Sequence, residues 1–231
     1  MPSEPLQAPS RRPSRASLAD SVYDILLGQL MDGQIGPEAP LNIDALSRTL
    51  MVSQTPIREA LARLEATGLI TRAALRGYRV APLFTDRELA DLMDARAVIE
   101  PANAERAART MTAEGFGELE QSIEDLRRSP RGPTFTEIRQ YWSADERFHD
   151  VIARYADNAF LLAAYQSLGG HVQRFRLFGG LGVTDADAAI AEHGTILVAL
   201  HSGDPAEAGA AMRTHILRVK SRARTDLAAH E

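Results

Sequence analysis

Residues 51–70 read MVSQTPIREALARLEATGLI, a helical pattern with a proline close to its start. The first four backbone N–H groups of a helix have no partner within it, so a proline in the first turn costs little and its fixed φ suits the helix. Either Ser53 or Thr55 can act as the N-cap, after which Ile57, Leu61 and Leu64 share one apolar face. Gln54 and Arg58 lie one turn apart on a different face. Both are long and planar-ended, suited to reaching outward.

Upstream, LADSVYDILLGQLM (18–31) carries an apolar stripe at Val22, Ile25, Leu26 and Leu30, and GQIGPEAPLN breaks it with Gly and Pro. NIDALSRTLM follows as a short second helix, with Asn42 as its cap and Ile43, Leu46 and Leu50 facing inward. The 51–70 helix begins two or three residues later, which is helix–turn–helix spacing. Downstream, Gly68 ends that helix, and LITRA and GYRVAP read as two strands around ALRG, with Arg72, Arg76 and Arg79 on or near the hairpin. Three helices and a two-stranded wing predict a winged helix–turn–helix over residues 17–82. Residues 1–16, rich in Pro, Ser and Arg, read as a disordered tail whose Arg11, Arg12 and Arg15 are available to a polyanion or simply solvated.

VSQTPIREALARLEATGLI followed by a Gly-containing wing resembles the GntR family of bacterial transcription regulators, whose usual run is V-S-R-T-P-V-R-E-A-L and then R-L-x-x-x-G-L. The likeness covers about 60 residues without a gap in its central 20. It implies that the second of the two helices enters the major groove of DNA and that the wing tip approaches the minor groove. By position, Ser53, Gln54, Thr55 and Arg58 would face the groove, with Arg76 and Gly77 at the wing. Two departures stand out. Gln54 replaces the usual Arg, and Gln suits adenine N6/N7 where Arg suits guanine. Asp44 stands where some relatives place a basic phosphate contact, and an acid there repels phosphate.

Charge is distributed in keeping with this. Residues 1–82 hold 9 arginines against 8 acidic residues, while residues 83–231 hold 17 basic against 23 acidic. Between 52 and 81 the balance is +3, a local basic patch. There are no cysteines, which excludes disulfides, thiolate metal sites and cysteine nucleophiles. No apolar run approaches the ~18 residues of a membrane span, and the N-terminus lacks the apolar core of a secretory signal, so a cytoplasmic protein with no membrane partner is expected.

Residues 83–231 are helical in pattern almost throughout and predict an antiparallel all-α bundle of six or seven helices, the first bent near Pro101. Asp145 and His149 are i, i+4 neighbours on one helical face. His193 and His215 lie on consecutive helices, each 11 residues from residue 204 in the turn between them, so they sit at one height across the hairpin. One carboxylate and three imidazoles suit Zn²⁺ first, with Ni²⁺ or Mn²⁺ as alternatives, and leave positions open for an exogenous ligand. His171 competes as a fourth ligand but follows Gly169-Gly170 and lacks the matching height; His201 falls in the turn and His230 in the tail.

DERFH, EHGTI and MRTHI in that order resemble the FCD ligand-binding domain of FadR-type GntR regulators, whose pattern is D-x-x-x-H, E-H-x-x-I and a final His. The resemblance implies that these four side chains hold a metal that in turn binds a small carboxylate. RAVIE is similar to the family's R-x-x-L-E, which points Arg96 at the effector, since guanidinium pairs bidentately with carboxylate. An ion pair with Glu100 at i+4 is the competing role for Arg96. ERFH also fits the E-x-x-H element of di-iron bundles, but no second copy occurs. No H-E-x-x-H, P-loop, G-x-S-x-G or G-x-G-x-x-G motif is present. The sequence therefore predicts a DNA-binding regulator with no catalytic residues, and the resemblance implies a homodimeric repressor on a palindromic double-stranded operator. The alternatives are a metal-dependent helical-bundle enzyme and a pure metal sensor.

Overall fold

The computed structural model describes residues 15–73, 77–132, 134–175 and 185–228. Helix α1 (Arg15–Met31) comes first, followed by α2 (Ile43–Leu50) and α3 (Gln54–Ala66). Asn42 caps α2, its side chain accepting from the Ala45 N–H at 3.0 Å. Ser53 is the N-cap residue of α3 by backbone conformation, without a side-chain cap hydrogen bond. Ile57, Leu61 and Leu64 are fully buried against Leu26 and Leu30 of α1, as their spacing predicts.

The wing consists of β2 (Ile70–Ala73) and β3 (Gly77–Val80), paired antiparallel with Arg72 opposite Tyr78. A third strand, β1 (Pro40–Leu41), pairs with the other edge of β3, in the order β1-β3-β2. The sequence reading leaves this strand as a loop. Two residues, one of them proline, carry no alternation, and only the partner edge defines them.

Six helices follow among the described residues: α4 (Asp86–Thr110), α5 (Ala113–Arg128), α6 (Phe135–Tyr155), α7 (Ala159–Phe175), α8 (Ala186–Ser202) and α9 (Pro205–Ala228). Capping boxes start α4 (Thr85 with Glu88) and α6 (Thr134 with Glu137), each satisfying two otherwise orphaned donors. Helix α4 runs unbroken through Pro101. It packs along α9 and touches α6, α7 and α8, so it forms the spine of the bundle. Gly203, at φ +72° in the left-handed region that suits glycine, closes the tight α8–α9 turn. The bundle core gathers Phe148, Leu119, Leu126, Ile196 and Ile216.

Two seams join the modules. At one, Trp142 packs against both cores, and Asp32 accepts from the Phe135 N–H at 2.5 Å. At the other, α7 meets the turn after α3. A Cβ at Gly170 would fall on the backbone of Thr67, and the His171 ring lies 3.5 Å from the place of a Cβ at Gly68. Glycines inside a helix cost about 1 kcal/mol each relative to Ala; at Gly170 the cost permits backbone to touch backbone.

Candidate functional site

Three imidazoles converge in the bundle. His149 from α6, His193 from α8 and His215 from α9 offer ligand atoms that all lie within 4.8 Å of one another. Their ring centroids form a near-regular triangle, 5.2, 5.2 and 4.8 Å apart. All three are buried, and His193 stacks on Phe148 with ring centres 4.1 Å apart. Asp145, one turn before His149, places Oδ1 3.6 Å from His193 Nε2. The three histidines picked out by sequence spacing thus meet in one place, with Asp145 beside His193 but outside their cluster of ligand atoms. His171 does not join them: it faces Gly68 and lies 6.5 Å from the Phe84 ring. His201 stacks on Phe116, and His230 lies outside the described residues.

Carboxylates behind two of the rings set their orientation. His215 Nδ1–H donates to Glu192 Oε2 at 2.8 Å, which leaves Nε2 as a lone-pair donor. Burial alone would raise the pKa of Glu192, but hydrogen bonds from His215 and Arg222 hold it down to about 2. Arg222 donates to both of its oxygens, at 2.9 and 3.0 Å. His149 Nδ1 sits 2.6 Å from Glu100 Oε2, in close contact but not aligned as a hydrogen bond. Glu100 is also held down to about 2: burial pushes it up, and Arg96 and His149 outweigh that. Burial pushes the pKa of His193 well below its usual value, and that of His215 down as well, so both rings are neutral near neutral pH.

Among the described residues, the buried side-chain atoms left without a hydrogen bond belong to Glu100, Asn103, His149 and His193. Both ring nitrogens of His149 and of His193 are in this set. Unpaired buried polar atoms are costly, and their concentration here fits residues that hold an ion or ligand. A cavity of about 30 Å³ opens beside them, lined by Arg96, Glu100, Asp145, His149, Tyr165 and Leu168 among others. Arg96 donates from Nε to Glu100 Oε1 at 2.6 Å, the ion pair expected at i+4, and it also lines that cavity. The sequence reading gave no role to Glu192 or Asn103. Glu192 adjoins His193 in EHGTI, yet nothing in the spacing links it to His215 or Arg222.

At the other end, Ser53, Gln54, Thr55 and Arg58 are all exposed on the first turns of α3. Gln54 Nε2 donates to Asp44 Oδ1 on α2 at 2.5 Å, and Arg58 donates to Gln54 Oε1 at 3.2 Å. Gly77 opens β3 at φ +79°, and Arg76 lies outside the described residues.

The family model for bacterial regulatory proteins of the gntR family matches residues 18–80, and that for the FCD domain matches residues 91–218. The chain belongs to the GntR family. It is a DNA-binding transcription regulator with an FCD effector domain, and that family comprises regulators rather than enzymes. Among GntR relatives it is 30% identical to the probable D-xylose utilization operon transcriptional repressor of Paenarthrobacter nicotinovorans, over 91% of each chain. It is 26% identical to the HTH-type transcriptional repressor RspR of Escherichia coli (strain K12), over 88% of this chain and 87% of that one. The fold is that of E. coli McbR/YncC, with a TM-score of 0.71 at 21% identity, covering 91% of this chain and 99% of the other. No helix among the described residues is long and apolar enough to cross a membrane.

Proposed function

We propose that this regulator is a cytoplasmic homodimer that represses from a palindromic operator, and that a small carboxylate bound at a metal in the FCD domain sets its operator affinity. Residues 17–82 form the DNA-binding module, in which Ser53, Gln54, Thr55 and Arg58 face the groove with Arg76 and Gly77 at the wing, and residues 83–231 form the effector module. Asp145, His149, His193 and His215 hold the ion, and Arg96 pairs with the effector. The observation that carries this reading is the meeting of three buried histidines with ligand atoms within 4.8 Å of one another, two of them with no hydrogen bond on either ring nitrogen. Neutral imidazoles and a carboxylate fit Zn²⁺ first and Ni²⁺ or Mn²⁺ next. Bound there, the ion supplies a positive centre with open positions that favours an anionic oxygen ligand. The adjacent cavity with Arg96 on its wall favours an organic acid over response to metal alone.

Elemental analysis of protein purified without a metal-affinity tag tests the site. One ion per chain is expected, falling in His193→Ala and His215→Ala while operator binding persists. Wild-type protein that holds no stoichiometric metal after incubation with Zn²⁺, Ni²⁺ or Mn²⁺ would falsify the reading. A thermal-shift screen then compares small carboxylates with D-xylose, because one relative is named for a D-xylose operon. Stabilisation by the neutral sugar and by no acid would sink the carboxylate assignment.

A further inference from the structure

An acid at a DNA-facing surface repels phosphate, so Asp44 needs a reason to be there. It stands in the first turn of α2, and its carboxylate crosses to α3 to accept from Gln54 Nε2 at 2.5 Å. Arg58, one turn further along α3, donates to the oxygen of the same amide at 3.2 Å. A carboxylate can only accept and a guanidinium can only donate. Both neighbours therefore demand one orientation of the Gln54 amide, with nitrogen toward α2 and oxygen toward Arg58. An unpartnered glutamine amide is free to turn over, exchanging its donor and acceptor ends. This one is not.

We infer that Asp44 is a positioning residue for base readout, locking the Gln54 amide into a single donor–acceptor order across the helix–turn–helix. After its two contacts the amide keeps one N–H and one carbonyl lone pair. That is the pair needed to donate to adenine N7 and accept from adenine N6. The lock also orders a long, exposed side chain before DNA arrives, so less rotamer freedom is lost on binding. Asp44 thereby trades general phosphate affinity for discrimination at one base pair of each half-site. The inference rests on the assignment of Gln54 to the groove-facing side of α3.

Binding selections over randomised half-sites, run on the full-length protein at one salt concentration, test it with Asp44→Ala, Asp44→Asn and Gln54→Ala beside wild type. Gln54→Ala is expected to erase the adenine preference at one position. Asp44→Ala should weaken preference at that same position by on the order of tenfold, since a good bidentate contact discriminates by about that factor or more. Its affinity for non-specific DNA should rise, because a negative charge has gone. Asp44→Asn, which can still accept from Gln54, should fall between the two and serves as the readout if Asp44→Ala folds poorly. A merely structural role would weaken binding to every sequence alike. If Gln54→Ala changes the selected site and both Asp44 variants select the wild-type site, the lock is refuted while the groove assignment stands. If Gln54→Ala selects the wild-type site, the groove assignment fails and the lock with it.

Discussion

Met51 closes α2 in the left-handed region, at φ 53°, and is 90% exposed. A β-carbon in that conformation costs about 1–2 kcal/mol, and an exposed side chain returns little of it in packing. The turn is held by Ser47, whose carbonyl accepts from the Met51 and Val52 N–H groups and whose hydroxyl donates to Val52 O at 2.6 Å. Met51→Gly should therefore stabilise the protein by about 0.5–1 kcal/mol, the relief being partly offset by glycine's larger unfolded-state entropy. A higher urea midpoint at unchanged slope checks this. Arg96 presents the opposite case. Its side chain is 7% exposed and that of Glu100 3%, so Arg96→Ala strands a carboxylate in the bundle without its guanidinium partner. Breaking a buried pair on one side costs about 3–5 kcal/mol. The loss should appear in urea unfolding of metal-free protein. A stability within 1 kcal/mol of wild type would show that water reaches Glu100 freely.

At the scale of elements, the α8–α9 hairpin aligns its two histidines because Gly203 makes the turn tight, and Arg222 then clamps Asp185 and Glu192 of the α8 side. Glu192→Gln keeps a group of the same shape behind His215 but removes its charge. Metal affinity should fall by about 10-fold or somewhat more, the usual effect of losing a partner behind a ligand, with stoichiometry unchanged at saturating ion. Competition with a chromophoric chelator measures it, and an unaltered affinity would mean that Glu192 serves only Arg222. These elements also show what a sequence makes legible. Asp145 and His149 are four residues apart, and His193 and His215 are equidistant from a turn, so helical geometry alone aligns each pair. Nothing comparable links Asp44 to Gln54, Glu192 to Arg222 or β1 to β3. Those contacts join elements whose relative placement follows from packing the whole core, and no local period encodes it.

At the scale of the molecule, α7, like α6, touches both ends of the function. Tyr165, Leu168, Gly169 and Val172 line the cavity beside the histidines, and Gly170 lies against the backbone of Thr67 at the end of α3. The cavity, at about 30 Å³, has room for a few waters or a carboxylate head, so a larger effector must press on its walls. Gly170→Ala leaves the three histidines and the α3 surface untouched but forces α7 and the Thr67 turn apart. Metal content should be unchanged, while the effector's influence on operator affinity should fall several-fold, read by titrating DNA with and without the ligand. An undiminished response would show that the signal travels by the Phe135–Trp142 seam instead. A shared helix also works in both directions. Whatever factor the effector imposes on operator affinity, the operator must impose on effector affinity, because the two binding steps close one thermodynamic cycle. A repressor seated on its site would then sense its small molecule at a different concentration from one free in solution, so the DNA would set the threshold of its own release.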